Sequence, residues 1–378
     1  MTIKQIFSEG LKNVASTVRQ LTPNWFVMTM GMGVIALILE VFPFQFRGLH
    51  TISIVIYVTN VVIFCMLTLL LTARYIMSPC MFNVVMKSPQ QSMYIGAIPM
   101  GLSTIINYTI LVVVKDYEWG MNLAFILWCV ELFLTLFSLV VVPFYMFVHH
   151  SHKLESVSGA WILPIAPGIF TAASGGLLAN NIDDVQKAVV IIVISYMLMG
   201  VGLSLALTIT VIFFYRLAIH KLPPKEMINT TFIPLGALGQ SAYGIIQIGS
   251  ACQKVIGDDY IKGLGSTAYN MSFIIALMLW GYGFWYLIIG ILFVATSIKI
   301  PFNMSWWALI FPLGSLTVAT VAIGNIMDSM VFRVIASIFT VRLVIACIIV
   351  SAKTSLGVWF GTLSPPVKVE RDLETQTQ

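Results

Sequence analysis

The chain has 378 residues, of which 59% are hydrophobic and 9% charged, and its mean hydropathy is +0.95. A soluble domain carries about 25% charged residues, so this composition excludes a water-soluble globular fold and points to a polytopic membrane protein. The net charge of +5 is scattered, with no basic helix carrying interleaved aromatics, which argues against a nucleic-acid partner.

A bilayer-spanning helix needs about 20 apolar residues. Ten stretches are expected to span, near 24–42, 52–75, 92–114, 120–147, 159–180, 188–217, 231–253, 266–297, 304–324 and 329–352. Before them, residues 1–23 are polar and amphipathic, with Lys4, Lys12 and Arg19 and no apolar core of a cleavable signal. The first stretch opens on Pro23-Asn24-Trp25 and continues through Gly31 and Gly33; the second is smoother and bulkier. The third carries Pro99, Gly101, Ser103, Thr104 and Asn107, and the fourth a mid-span Glu131. The fifth, GAWILPIAPGIFTAASGGLLA, holds Pro164, Pro167, Thr171 and Ser174; the sixth is smooth apart from Gly200 and Gly202. The seventh, FIPLGALGQSAYG, holds Pro234, Gly236, Gly239, Gln240 and Ser241, and the eighth is long enough to be tilted. The ninth, SWWALIFPLGSLTVAT, holds Phe311, Pro312, Gly314 and Ser315; the tenth carries Arg333 and Arg342.

Character therefore alternates along the chain. Irregular backbone at membrane depth survives only where it is buried in protein or lines a wet cavity. The odd stretches are the expected pore wall, the even ones the lipid-facing sleeve, and the repeat reads as five helical hairpins. Prolines 99, 164, 167, 234 and 312 are expected to kink the odd helices. Asn24, Ser103, Thr104, Asn107, Thr171, Ser174, Gln240, Ser241 and Ser315 are the candidate lumen residues. Any single Ser or Gly serves helix packing as readily. Asn107 and Gln240 stand out, because an amide in hydrocarbon is costly without a partner.

No Lys, Arg, Asp or Glu lies mid-span in the odd stretches, which argues against a carboxylate relay there and suits an anion better than a cation. Glu131 and Arg342 are paired by expectation, since a buried charge needs a partner; Arg333 stands where it draws anions or snorkels. With the amino terminus in the cytoplasm, thirteen of the twenty Lys and Arg fall in inside segments and five in outside ones. The positive-inside rule then places both termini in the cytoplasm. The expected organisation is an amino-terminal segment 1–23, a transport domain 24–353 and a disordered cytoplasmic tail 354–378.

Five cysteines without a CxxC pair indicate neither zinc nor a disulfide framework. His149, His150 and His152 sit in a loop with no carboxylate cluster beside them, and no hydrolase, phosphate-binding or dinucleotide motif occurs. No enzyme activity, metal or cofactor is expected.

The segments TPNWFVMTMGMGV, SMYIGAIPMGLSTIINY, AWILPIAPGIFTAASGG, KLPP with FIPLGALGQSAYG, and FNMSWWALIFPLGSLTVA together resemble the tellurite-resistance and dicarboxylate transporter family of anion channels, over about residues 22–355. That family includes guard-cell anion channels, fungal malate permeases and fungal sulfite efflux pumps. The resemblance implies an all-α protomer of ten helices, five inner ones forming the pore, assembled as a homotrimer. It implies a phenylalanine plug, best matched by Phe311, and an apolar plug gates by steric block and dewetting. IPMGLSTIIN, KLPP and PLGALGQSAYG are similar to the sulfite pumps, whereas FPFQFRGLHTI and AWILPI are similar to the malate permeases. The odd stretches lack the paired arginines that would read a dicarboxylate. The leading expectation is a plasma-membrane sulfite exporter. A C4-dicarboxylate permease of the same fold and a non-transporting membrane receptor are the alternatives.

Overall fold

The computed structural model describes Lys12 and residues 21–258, 261–297 and 300–363. The expected amino-terminal segment, apart from Lys12 and residues 21–23, and the tail from 364 lie outside the described residues. The ten longer helices are α1 (Phe26–Glu40), α2 (Leu49–Met77), α3 (Ala97–Tyr108), α4 (Trp119–Val148), α5 (Ala166–Ala179), α6 (Val185–His220), α7 (Ile233–Ala251), α8 (Leu264–Thr296), α9 (Trp307–Ile326) and α10 (Met330–Trp359). No strand occurs among the described residues.

Among the described residues, eight helical stretches are long and apolar enough to cross a membrane. They contain α1, α2, α3, α4, α6, α8, α9 and α10. The other two are special. α5 has 14 residues, about 21 Å at 1.5 Å per residue, short of the roughly 30 Å of a hydrocarbon core. α7 has 19 residues but spends them on four glycines, two serines and two glutamines. Both belong to the interior: every residue of α5 is buried, and nearly every residue of α7.

Burial alternates along the chain as the composition does. The membrane-length stretches containing α1, α3 and α9 are 72%, 78% and 67% buried, whereas those of α2, α4, α6, α8 and α10 lie between 22% and 39%. Contacts explain the alternation. α1 packs on α3, α3 on α5, α5 on α7, α7 on α9, and α9 returns to α1. Each remaining helix covers one seam of this closed ring: α2 over α1 and α3, α4 over α3 and α5, α6 over α5 and α7, α8 over α7 and α9, and α10 over α9 and α1. The bulky apolar side chains of these five point outward, as with Val62, Leu69, Phe133, Met197, Met278 and Ile348.

Glycine sets how closely the inner helices approach. A Cβ on Gly239 of α7 would stand 2.6 Å from the Leu316 amide nitrogen of α9, and one on Gly176 of α5 would stand 2.7 Å from the Ile248 nitrogen of α7. Only a hydrogen fits between these backbones. Gly202 of α6 likewise faces inward onto the Ile169 nitrogen at 2.9 Å, while Gly200 meets nothing.

The prolines do less bending than their number implies. Of the five expected kinks, only Pro312 lies well inside its helix. Pro167 and Pro234 occupy the first turn of α5 and α7, Pro99 is the third residue of α3, and Pro164 precedes α5 in a turn. A first-turn proline gives up an N–H that has no helical partner anyway, so it starts a helix rather than breaking one. A second proline inside a helix, Pro143, is in the outer α4. What the inner helices do share is their entry. Each of the five follows a 3-10 turn: Pro23–Trp25, Met93–Gly96, Gly159–Ile162, Lys225–Phe232 and Met304–Trp306. The tenth helix also runs to Trp359, beyond the expected end at 352 and the expected tail boundary.

Candidate functional site

Two cavities lie along the interior of the ring. The first is walled by the amino-terminal parts of all five inner helices: Met30, Met100, Ala166, Ile233 and Trp307 are among its lining residues. It is almost wholly apolar, with Tyr94 and Ser305 as its polar members. The second is walled by later residues of α1, α3, α7 and α9, with α5 contributing Phe170. Amino-terminal residues of α1, α3, α7 and α9 thus line one cavity and later residues the other, and α5 follows the same sense, with Ala166 at the first cavity and Phe170 at both, so the five helices run in the same direction.

The second cavity is the more polar of the two, although apolar side chains make up about half of its lining. Ser103, Thr104, Asn107, Gln240, Tyr243 and Ser315 face it, among Val34, Leu37 and Val318. Not all of these offer a free donor. Thr104 Oγ1 donates to the Gly101 carbonyl at 2.7 Å, and Ser315 Oγ to the Phe311 carbonyl at 3.2 Å. Their protons are spent on their own helices, a habit of helical Ser and Thr. The amides of Asn107 and Gln240 and the Tyr243 hydroxyl remain; Asn107 Oδ1 is buried without a partner. No Lys, Arg, His, Asp or Glu lines either cavity among the described residues.

Phe311 and Phe170 line both cavities. Their rings stack with centroids 4.9 Å apart and planes 26° apart, and both are buried. This pair is the partition between the apolar and the polar compartment. Phe311 comes from α9, one residue before Pro312, and Phe170 from α5, three residues after Pro167.

Behind the wall is a polar cluster that the sequence assigned differently. Glu131 of α4 is fully buried. Thr171 Oγ1 donates to Glu131 Oε1 at 2.9 Å, and Thr135 Oγ1 lies 2.6 Å from Thr171 Oγ1. Ser103 and Ser174 pair at 2.7 Å. The expected Glu131–Arg342 pair is absent: Arg342 is exposed on α10, which packs on α9 and α1 and not on α4. Helical position along the chain matched the two; position around the ring separates them. Arg333 is also engaged, its Nη2 donating to Asp328 Oδ1 at 2.6 Å.

Of the candidate lumen residues, the polar cavity gathers Ser103, Thr104, Asn107, Gln240 and Ser315. Four lie elsewhere. Asn24 is in the entry turn before α1, Thr171 and Ser174 are in the cluster behind the wall, and Ser241 bonds back to the Ala237 carbonyl. Phe170 and Tyr243 were not singled out from sequence, where an aromatic inside an apolar helix carries no distinguishing signal. His150 Nε2 lies 2.8 Å from the Met86 carbonyl oxygen and His152 packs on Trp161, so this loop is tied to its surroundings. Burial, reinforced by His150, holds the His152 imidazole below its ordinary pKa.

A family model described as voltage-dependent anion channel matches residues 20–355. The chain belongs to the voltage-dependent anion channel family. A sulfite efflux pump from Arthroderma otae is 36% identical over 338 residues, 88% of this chain and 89% of that one. A sulfite efflux pump from Candida albicans is 26% identical over 91% of this chain and 75% of its own length. A malic acid transport protein from Schizosaccharomyces pombe is 25% identical over 89% of this chain and 78% of its own. Family membership and the apolar helices together make the chain a multi-pass membrane protein that transports anions, and not an enzyme.

Proposed function

We propose that the chain exports sulfite across the plasma membrane through the interior of the five-helix ring, with Phe311, stacked on Phe170, as the gate. The observation that carries the gate is the meeting of two compartments at one aromatic pair. In this reading all ten helices cross the bilayer, with α5 and α7 completing their crossing through their entry turns. Both termini are cytoplasmic and three copies assemble. Gly200, with open space beside it, is on the outer surface, whereas Gly202 is committed to packing on α5.

Transport needs an entrance that does not hold its ion too tightly. Asn107, Gln240 and Tyr243 offer neutral donors to an anion, and no arginine clamps it. Export requires no pump, because an inside-negative potential contributes about 2.3 kcal/mol per charge per 100 mV. The apolar compartment on the other side of the rings stays dry while the stack is closed, which adds a dewetted length to the steric block. The choice of sulfite rests on the sulfite efflux pumps, which share more identity with the chain than the malic acid transport protein does.

The second reading is a malate permease, favoured by the malic acid transport protein's alignment over most of the chain. Purified protein in liposomes, given matched gradients of sulfite and malate, tests both. Sulfite flux with little malate flux supports the exporter. Malate flux alone transfers the same architecture to the dicarboxylate, and flux of neither anion favours a non-transporting receptor.

A further inference from the structure

Among the described residues, Glu131 is the one fully buried carboxyl beside the anion path, and the pathway proposed above makes no use of it. It enters from an outer helix, so a search of the inner helices for charge misses it. Its surroundings are specific. Oε1 accepts the Thr171 hydroxyl, and with that proton spent, Thr135 supplies the one between the two threonines. Oε2 is buried and has no hydrogen-bond partner. The hydroxyls of Ser103 and Ser174 flank the same carboxyl, and Ser103 faces the polar cavity on its other side. One hydroxyl therefore separates the carboxyl from the anion compartment.

No fixed charge competes for it. α5 has no titratable residue, and α3 has only Tyr108, which is engaged with Ser53 at 2.5 Å. The entry turn of α3 brings Tyr94, the π-helical turn Thr109–Val113 brings none, and the short segment Val114–Asp116 brings Lys115 and Asp116. The short helix Cys80–Lys87 brings Cys80 and Lys87, and α4 itself adds Cys129, which is exposed, and Tyr145. None of these is bonded to the carboxyl, whose Oε1 accepts from Thr171.

We propose that Glu131 is a proton-binding site coupled to anion occupancy of the polar cavity. Ionised, it sets a negative charge one hydroxyl away from the anion and repels it. Protonated, it removes that charge and turns its bare oxygen into a donor toward the Ser103–Ser174 pair. A proton taken from a hydronium ion in the cavity breaks one O–H bond there, forms one on the carboxylate and leaves water behind. By linkage the effect is mutual: a bound anion favours the proton as much as the proton favours the anion. At a separation of roughly 6–8 Å and an effective permittivity of about 20, the repulsion changes anion occupancy by about 30-fold or more.

The test uses nitrate, which keeps one charge across the pH range and so removes sulfite's own titration. In proteoliposomes, wild-type nitrate flux is expected to rise about tenfold or more from pH 8 to pH 6. Glu131→Gln, which keeps the size and the acceptor for Thr171, is expected to give a flat profile. A flat wild-type profile, or an unchanged slope in Glu131→Gln, overturns the coupling while leaving the anion pathway standing. Wild-type protein that moves neither nitrate nor sulfite at any pH removes the pathway itself, and the coupling with it. Should Glu131→Gln not fold, infrared difference spectra of the wild type decide: nitrate is expected to perturb a protonated carboxyl band, and its absence overturns the proposal.

Discussion

Replacing Phe311 with alanine removes the ring that divides the two compartments. In the structure this ring is stacked on Phe170 at 4.9 Å and is only 6% exposed. To open, the wild type must take the ring out of that contact. The least this costs is the aromatic pair itself, about 0.5–1.5 kcal/mol; the most is the full packing of a buried phenylalanine, about 3–5 kcal/mol. At about 1.4 kcal/mol per tenfold, the alanine variant should conduct between roughly twofold and a few thousandfold faster. An increase of ten- to a hundredfold is expected. Phe170→Ala should raise flux less, because Phe311 still fills part of the gap. The double variant should fall short of the product of the two, since the rings form one contact. The assay is anion flux into proteoliposomes with protein of matched melting temperature and monodispersity. Flux unchanged from wild type in well-folded Phe311→Ala would refute the gate, as would strict multiplicativity of the two variants.

Other expectations follow from the same geometry. Asn107→Leu and Gln240→Leu, each near-isosteric, should cut sulfite flux by about tenfold through loss of a neutral donor, whereas Ser241→Ala should leave it within about twofold; flux measured side by side checks the ranking. Gly239→Ala should destabilise by about 2–3 kcal/mol, because its Cβ meets the Leu316 backbone at 2.6 Å and overpacking has no side chain to displace. Gly281→Ala, with open space around it, should be neutral in the same thermal-shift experiment. His152 is held below its usual value of 6.5 by burial and His150. The folded state therefore binds that proton less readily than the unfolded one, so its stabilising contribution is present above about pH 6.5 and declines as pH falls below it. Melting curves from pH 7.5 to 5 should show this decline, and His152→Asn should reduce it.

The alternation of inner and outer helices was legible because each class of helix meets one solvent. Val62, Phe133 and Ile348 need only be apolar, while Gly176 and Gly239 must be small; composition records that difference directly. Most helix positions were legible within a few residues for the same reason, the start of α5 and the end of α10 excepted. The prolines misled because residue type does not reveal register: Pro167 and Pro234 read as kinks until the helix start is known to lie beside them. The polar site divided along a similar line. Asn107 and Gln240 face the cavity, but Thr171 and Ser174, on a helix of similar composition, face outward into a hydrogen-bonded cluster. Only rotation about the helix axis separates the two sets, and an all-buried helix such as α5 has no amphipathic stripe to report it. Glu131 and Arg342 show the remaining gap. Depth in the membrane can be estimated from the chain, whereas azimuth around a five-membered ring depends on which helix closes on which.

The common direction of the five inner helices has an electrical consequence. Each peptide dipole points the same way, and a helix carries about half a positive charge at its amino end and half a negative one at its carboxyl end. Five such ends surround the apolar mouth with positive potential and the polar cavity's far rim with negative potential. The interior of the ring is thus polarised by its backbone, and no Lys, Arg, His, Asp or Glu lines either cavity among the described residues. Anion currents driven by equal and opposite gradients should then be unequal, with the ring acting as a weak rectifier whose sense is written in the handedness of chain entry rather than in any residue that substitution could remove.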